Sequence, residues 1–201
     1  MRPLDVTQPD AKDKGFLNID MKLKPTERTA IFIDGPNTHA SAKQLGFDID
    51  YRKLRDLIDH DADLLRAKFY TSLPENKEEY SPLRPLVDWL DYNGFQVVTK
   101  TQKEFQDASG RTRYKGDLDV DVAVDMLRLA PRLDHAVLLS GDGDLAPALQ
   151  ALHHDGVRTT VVSTIRTNQP MIADELRRGA DEFCDLVDVR DRIRRTGQAS
   201  R

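Results

Sequence analysis

From residue 28 onward, short continuous apolar runs alternate with stretches whose apolar residues recur at i, i+3, i+4 spacing. The runs TAIFID (29–34), FYTS preceded by LLRAK (64–72), FQVVTK (95–100), HAVLLS (135–140) and RTTVVS (158–163) are β-branched and aromatic, which predicts strands. FCDLVDV (183–189) reads as a last, short one. The helical spacing predicts helices over 36–45, 51–59, 81–92, 118–129, 145–154 and 169–178. Unbroken apolar strands separated by helices indicate an α/β domain in which a mostly parallel sheet is covered on both faces. KEFQDASGRTRYKG (103–116) is too polar for a core element and centres Ser-Gly between two β-prone arms, so it predicts a protruding hairpin or flap. Residues 1–27 lack periodicity and read as a flexible lead, with the folded domain over 28–189. Residues 190–201 carry five Arg against one Asp and no apolar stripe, which predicts a basic, disordered tail.

Composition narrows the class. With 201 residues, 39% hydrophobic and 32% charged, the chain suits one globular domain. No apolar run approaches the roughly 18–20 residues of a membrane helix. The first residues lack the apolar core of a signal peptide, and Cys184, the lone cysteine, has no internal partner, so a cytoplasmic protein is expected. Cys184 itself reads as a small core residue. The net charge of −4 argues against coating duplex DNA by bulk electrostatics, so any contact with nucleic acid has to be local.

The acids are placed unevenly. In an open parallel sheet, ligands bind outside the carboxyl ends of the strands, and three such places carry carboxylates here. The first strand ends Asp34-Gly35-Pro36-Asn37, where Asp34, taken alone, reads first as a cap of the following helix. The fourth runs into Gly141-Asp142-Gly143-Asp144, two carboxylates at a glycine-flanked end that would repel without a cation. The segment 115–125 supplies Asp117, Asp119, Asp121 and Asp125, which a helix divides between faces. Asp117 reads as an N-cap, Asp119 is the preferred inward acid and Asp121 stays open as its alternative. Clustered carboxylates suit Mg²⁺ or Mn²⁺ and phosphodiester chemistry. The five His residues form no convincing ligand pair, which disfavours zinc, and His39 reads better as a packing or surface residue.

Four segments, Phe32-Ile33-Asp34-Gly35-Pro36-Asn37, Lys115-Gly116 with Asp119-Val120, Ser140-Gly141-Asp142-Gly143-Asp144-Leu145 with Pro147, and Gly156-Val157, together resemble the NYN domain, LabA/DUF88 branch. The resemblance implies a Rossmann-like, PIN-like domain and a Mg²⁺- or Mn²⁺-dependent ribonuclease. It implies an active site of Asp34, Asn37, Asp119, Asp142 and Asp144, with the four acids as metal ligands. On the flap, Arg111, Arg113 and Lys115 could track the backbone of single-stranded RNA and Tyr114 could stack on a base. A non-catalytic regulator that keeps the acidic site for binding RNA or a partner, through flap and tails or as a homo-oligomer, is the rival. An HAD-type phosphatase fails because Pro36 stands where its second Asp belongs, and a receiver domain fails because RTTVVST ends without the expected Lys.

Overall fold

The computed structural model describes residues 21–74, 81, 83–106, 112–115 and 118–196, with the backbone path for 103–106 and 112–115. Strands β1 (Arg28–Asp34), β2 (Asp63–Pro74), β3 (Gln96–Gln106), β4 (Thr112–Lys115), β5 (His135–Leu139), β6 (Arg158–Ser163) and β7 (Glu182–Asp185) form one sheet in the order β4-β3-β2-β1-β5-β6-β7. Every pairing is parallel except β3 with β4. That antiparallel pair, with Lys103 opposite Lys115 and Gln106 opposite Thr112, is the expected flap hairpin, whose Ser-Gly turn and Arg111 lie outside the described residues.

The helices are α1 (Gly35–Gln44), α2 (Tyr51–Asp61), α3 (Leu83–Tyr92), α4 (Asp119–Leu129), α5 (Ala146–His154), α6 (Asp174–Gly179) and α7 (Leu186–Ile193). Alternation along the central strands explains both cores. In β1, Ile31 and Ile33 join the cluster under α1, α2, α3 and α7, while Ala30 and Phe32 join the one under α4, α5 and α6. β5 does the same with Val137 and Leu139 against Ala136 and Leu138, so strands wet on neither face have to read as continuous apolar runs. Burying each of these Ile, Leu and Phe side chains contributes about 1.5–3 kcal/mol.

Two expectations change. The segment 183–189 is divided: β7 stops at Asp185, whose side chain accepts from Val187 N and starts α7. The helix expected from residue 169 begins at Asp174, because the preceding chain pairs elsewhere: Met171 N donates to Thr164 O and Ala173 N to Gly141 O, both at 2.9 Å. Ordered structure also extends past the expected limits of 28 and 189. Met21 is buried in the α1/α2 core, and α7 continues to Ile193, which is fully buried. Residues 1–20 and 197–201 lie outside the described residues. Among the described residues, no helix is long and apolar enough to cross a membrane.

Candidate active site

Strand order reverses between β1 and β5, and a crevice opens beyond their carboxyl ends. Asp34 closes β1, and its Oδ1 accepts from Asn37 N at 3.2 Å, capping α1. Its Oδ2 accepts from Ser140 Oγ at 2.9 Å. Ser140 Oγ in turn accepts from Asp142 N at 3.1 Å, and Asp142 Oδ1 accepts from Asp144 N at 3.0 Å, where a 3₁₀ turn begins. Asn37 spans the crevice as well, its Oδ1 accepting from Gly141 N at 2.9 Å. The loops after β1 and β5 are thus one hydrogen-bonded unit. Capping and convergence, rivals in the sequence, occur together at Asp34 and Asp142.

The glycines answer to close approach. A Cβ on Gly141 would collide with Met171 O, and one on Gly35 would lie 2.6 Å from Phe69 Cζ and 2.8 Å from Tyr70 O. The 164–173 loop therefore packs directly on the Gly141 backbone, an element of the site for which the local pattern carries no signal.

Asp119, in the first turn of α4, meets Asp142 and Asp144: one carboxylate oxygen from each lies within 4.8 Å of the other two. Asp119 and Asp142 are half-buried and Asp144 is exposed. Asp34 and Asn37 line the same cleft of about 440 Å³, though Asp34 stands outside that group of three. Tyr70, Ser72 and Gln102 complete its walls.

The other acids of α4 are engaged elsewhere. Asp121 accepts from Lys100 Nζ at 2.7 Å. Asp125 takes Lys68 Nζ at 2.5 Å and the Tyr70 hydroxyl at 3.1 Å, in a largely buried triad. Burial, with the charge of Asp125 beside it, pushes the Tyr70 hydroxyl well above its ordinary pKa, so it remains a donor. Between Asp119 and Asp121, the geometry brings Asp119 to the cleft. Asp117, the expected N-cap, lies outside the described residues, and among the described residues no side chain caps α4. Arg113, Tyr114 and Lys115 fall on β4, while Ser140, which links Asp34 to Asp142, was missed by the sequence reading although it stands within the quoted Ser-Gly-Asp motif. Cys184 is buried in the core.

Three carboxylates at this separation, with oxygen the only donor, fit a hard divalent cation such as Mg²⁺ or Mn²⁺. Fold, motif order and acidic crevice define one class, and the NYN domain model matches residues 28–188. The chain belongs to the NYN domain family. It is 36% identical over 180 residues to the low amplitude and bright protein LabA of Synechococcus elongatus, a match spanning 88% of this chain and 92% of that one. A crystal structure of a protein of unknown function from Vibrio parahaemolyticus shares the fold with a TM-score of 0.68 at 23% identity, covering 85% of this chain and 97% of the other.

Proposed function

We propose that this chain is a cytoplasmic, Mg²⁺- or Mn²⁺-dependent nuclease that hydrolyses phosphodiester bonds, with single-stranded RNA as substrate. The convergence of Asp119, Asp142 and Asp144 in a cleft that also holds Asp34 and Asn37 carries this reading. Family membership supports the nuclease class.

Asp119, Asp142 and Asp144 would hold the ion, with Asp34 completing the ligand set. Bound there, the ion would supply Lewis acidity toward a phosphoryl oxygen and a more acidic water. The chain's own residues position and orient. Ser140 holds the Asp34 carboxylate and the Asp142 backbone in one arrangement. Asn37 has its Oδ1 committed to Gly141 N and, among the described residues, no acceptor for its Nδ2, which leaves that end to orient a water or a phosphate. Arg111, Arg113 and Lys115 on the flap would follow the phosphate backbone and Tyr114 would stack on a base.

The test combines cleavage with stability. Labelled single- and double-stranded RNA and DNA are incubated with the protein in Mn²⁺, Mg²⁺ or EDTA. Single-stranded RNA should be cut with either metal and left intact in EDTA, and Asp142→Asn should lower turnover by about two orders of magnitude or more, since an amide is a poorer ligand. Mn²⁺ should also raise the melting temperature of the wild type, because a ligand that binds only the folded state stabilises it by mass action, and raise that of Asp142→Asn much less. Full cleavage in EDTA would overturn the metal mechanism. A folded, Mn²⁺-stabilised protein that cuts no nucleic acid would make the chain a binding regulator.

A further inference from the structure

A second cavity of about 440 Å³ opens beside the acidic cleft, and Pro36, Ser72 and Gln102 line both. Its walls are mainly apolar, from Ala42, Ile49, Phe69 and Leu86. Tyr51 forms part of the lining, only 7% exposed, its ring set by an edge-to-face contact with Phe69 at 5.1 Å and 82°. Among the described residues, no group hydrogen-bonds the Tyr51 hydroxyl. The ring is buried while the hydroxyl is left to the cavity, where an occupant can supply the partner that phenols in apolar surroundings ordinarily find. Asp48 and Arg195 offer an acceptor and donors in the same lining, tied together where Arg195 N donates to Asp48 O at 2.8 Å.

We propose that this cavity is a nucleobase pocket, in which the base adjoining the phosphate in the acidic cleft packs against Phe69 and Leu86 and hydrogen-bonds the Tyr51 hydroxyl. The proposal rests on the nuclease reading of the cleft and adds base selectivity to it. The occupant is neutral and flat because of what surrounds it. Apolar walls and a volume in the range of small-molecule pockets admit a heteroaromatic ring. An anion is disfavoured because the negative charges of Asp34 and Asp48 both act at the Tyr51 hydroxyl, opposed there by Arg195. The shared wall of Pro36, Ser72 and Gln102 shows how near the two sites lie. A base edge, with its own donors and acceptors, satisfies what the apolar walls leave unmet. A phosphate would belong in the neighbouring cleft.

Binding of the four homopolymeric RNA tetranucleotides and the four nucleoside monophosphates to the full chain, with Ca²⁺ replacing Mg²⁺ or Mn²⁺, tests this. Wild type should prefer one tetranucleotide by about ten-fold or more, and Tyr51→Phe, which keeps the ring and removes one hydroxyl, should erase most of that preference. Should Tyr51→Phe melt several degrees low, Leu86→Trp, which fills the cavity from its wall, should erase the preference too. Equal affinity for all four, or an undiminished preference in the folded variant, overturns the pocket, while cleavage in Mn²⁺ leaves the nuclease reading standing. A monophosphate bound as tightly as its tetranucleotide overturns the placement of the base within a strand. Failure to bind or cut any nucleic acid removes the nuclease reading and the pocket with it.

Discussion

Ser140 is the smallest side chain on which the crevice depends. Its hydroxyl donates to Asp34 and accepts from Asp142 N, so a single Oγ sets the spacing between acids that are 108 residues apart in sequence. Ser140→Ala removes no carboxylate, yet it leaves the Asp142 amide and one Asp34 oxygen without that partner. Losing such bonds costs about 1–3 kcal/mol where the groups remain shielded from water. The expected outcome is a melting temperature lower by about 2–12 °C for a domain this size and a cleavage rate reduced about ten-fold or more, with Mn²⁺ binding weakened and still measurable. Wild-type cleavage with wild-type stability would show that Ser140 only lines the loop. The residue-level reading of the sequence reached the acids because each stands at a strand end, where position alone is informative. It prefers Asp119 with Asp121 still open as its alternative, since the choice depends on Lys100, a partner on β3.

At the scale of elements, the legible part was whatever is buried on both faces. β1 and β5 could be read as strands because their residues have no wet side to alternate with. The ends of the fold were illegible for the opposite reason, since Met21 and Ile193 are single apolar residues among charged neighbours and their burial is decided by distant contacts. α7 shows how much such a contact matters. Ile193 lies in the α1/α2 core, Asp50 N donates to Ile193 O at 2.7 Å, Arg195 N donates to Asp48 O, and Ile49 bridges Arg194. Asp50 itself caps α2 through Arg52 N and Lys53 N, so the chain after α7 braces the start of that helix. Removing residues 190–201 should therefore lower stability by about 2–5 kcal/mol, the range for emptying a large buried aliphatic site, read as a urea midpoint shift. Ile193→Ala alone should account for most of the loss. An unchanged midpoint in the truncated chain would mean that the last turn of α7 contributes nothing to the core.

Across the whole molecule, the acidic crevice lies at the carboxyl ends of the strands, and the amino ends carry a different network. His135, fully buried at the start of β5, has Nε2 at 2.8 Å from Thr160 Oγ1 on β6 and Nδ1 at 3.0 Å from Arg158 Nη2. Arg158 also pairs with Glu27 and with Glu182, and donates to Lys22 O, which ties the segment before β1 to this end of the sheet. Burial, and then the positive charge of Arg158, pull the His135 pKa down from 6.5 to about 4. The folded protein thus keeps this imidazole neutral, whereas the unfolded chain takes up a proton near pH 6.5. Between those values the unfolded state binds more protons, so stability rises with pH. The contribution is complete above about pH 6.5 and is lost as pH falls toward about 4, with a limiting slope of roughly 1.4 kcal/mol per pH unit. Carboxylates paired in the fold add their own losses only at lower pH, so the upper part of this window isolates the histidine. Urea midpoints of the wild type should fall steadily from pH 6.5 to 5, while His135→Gln, less stable at neutral pH, should be nearly flat over the same interval. Equal slopes for the two proteins in metal-free buffer would show that His135 is not the group that titrates.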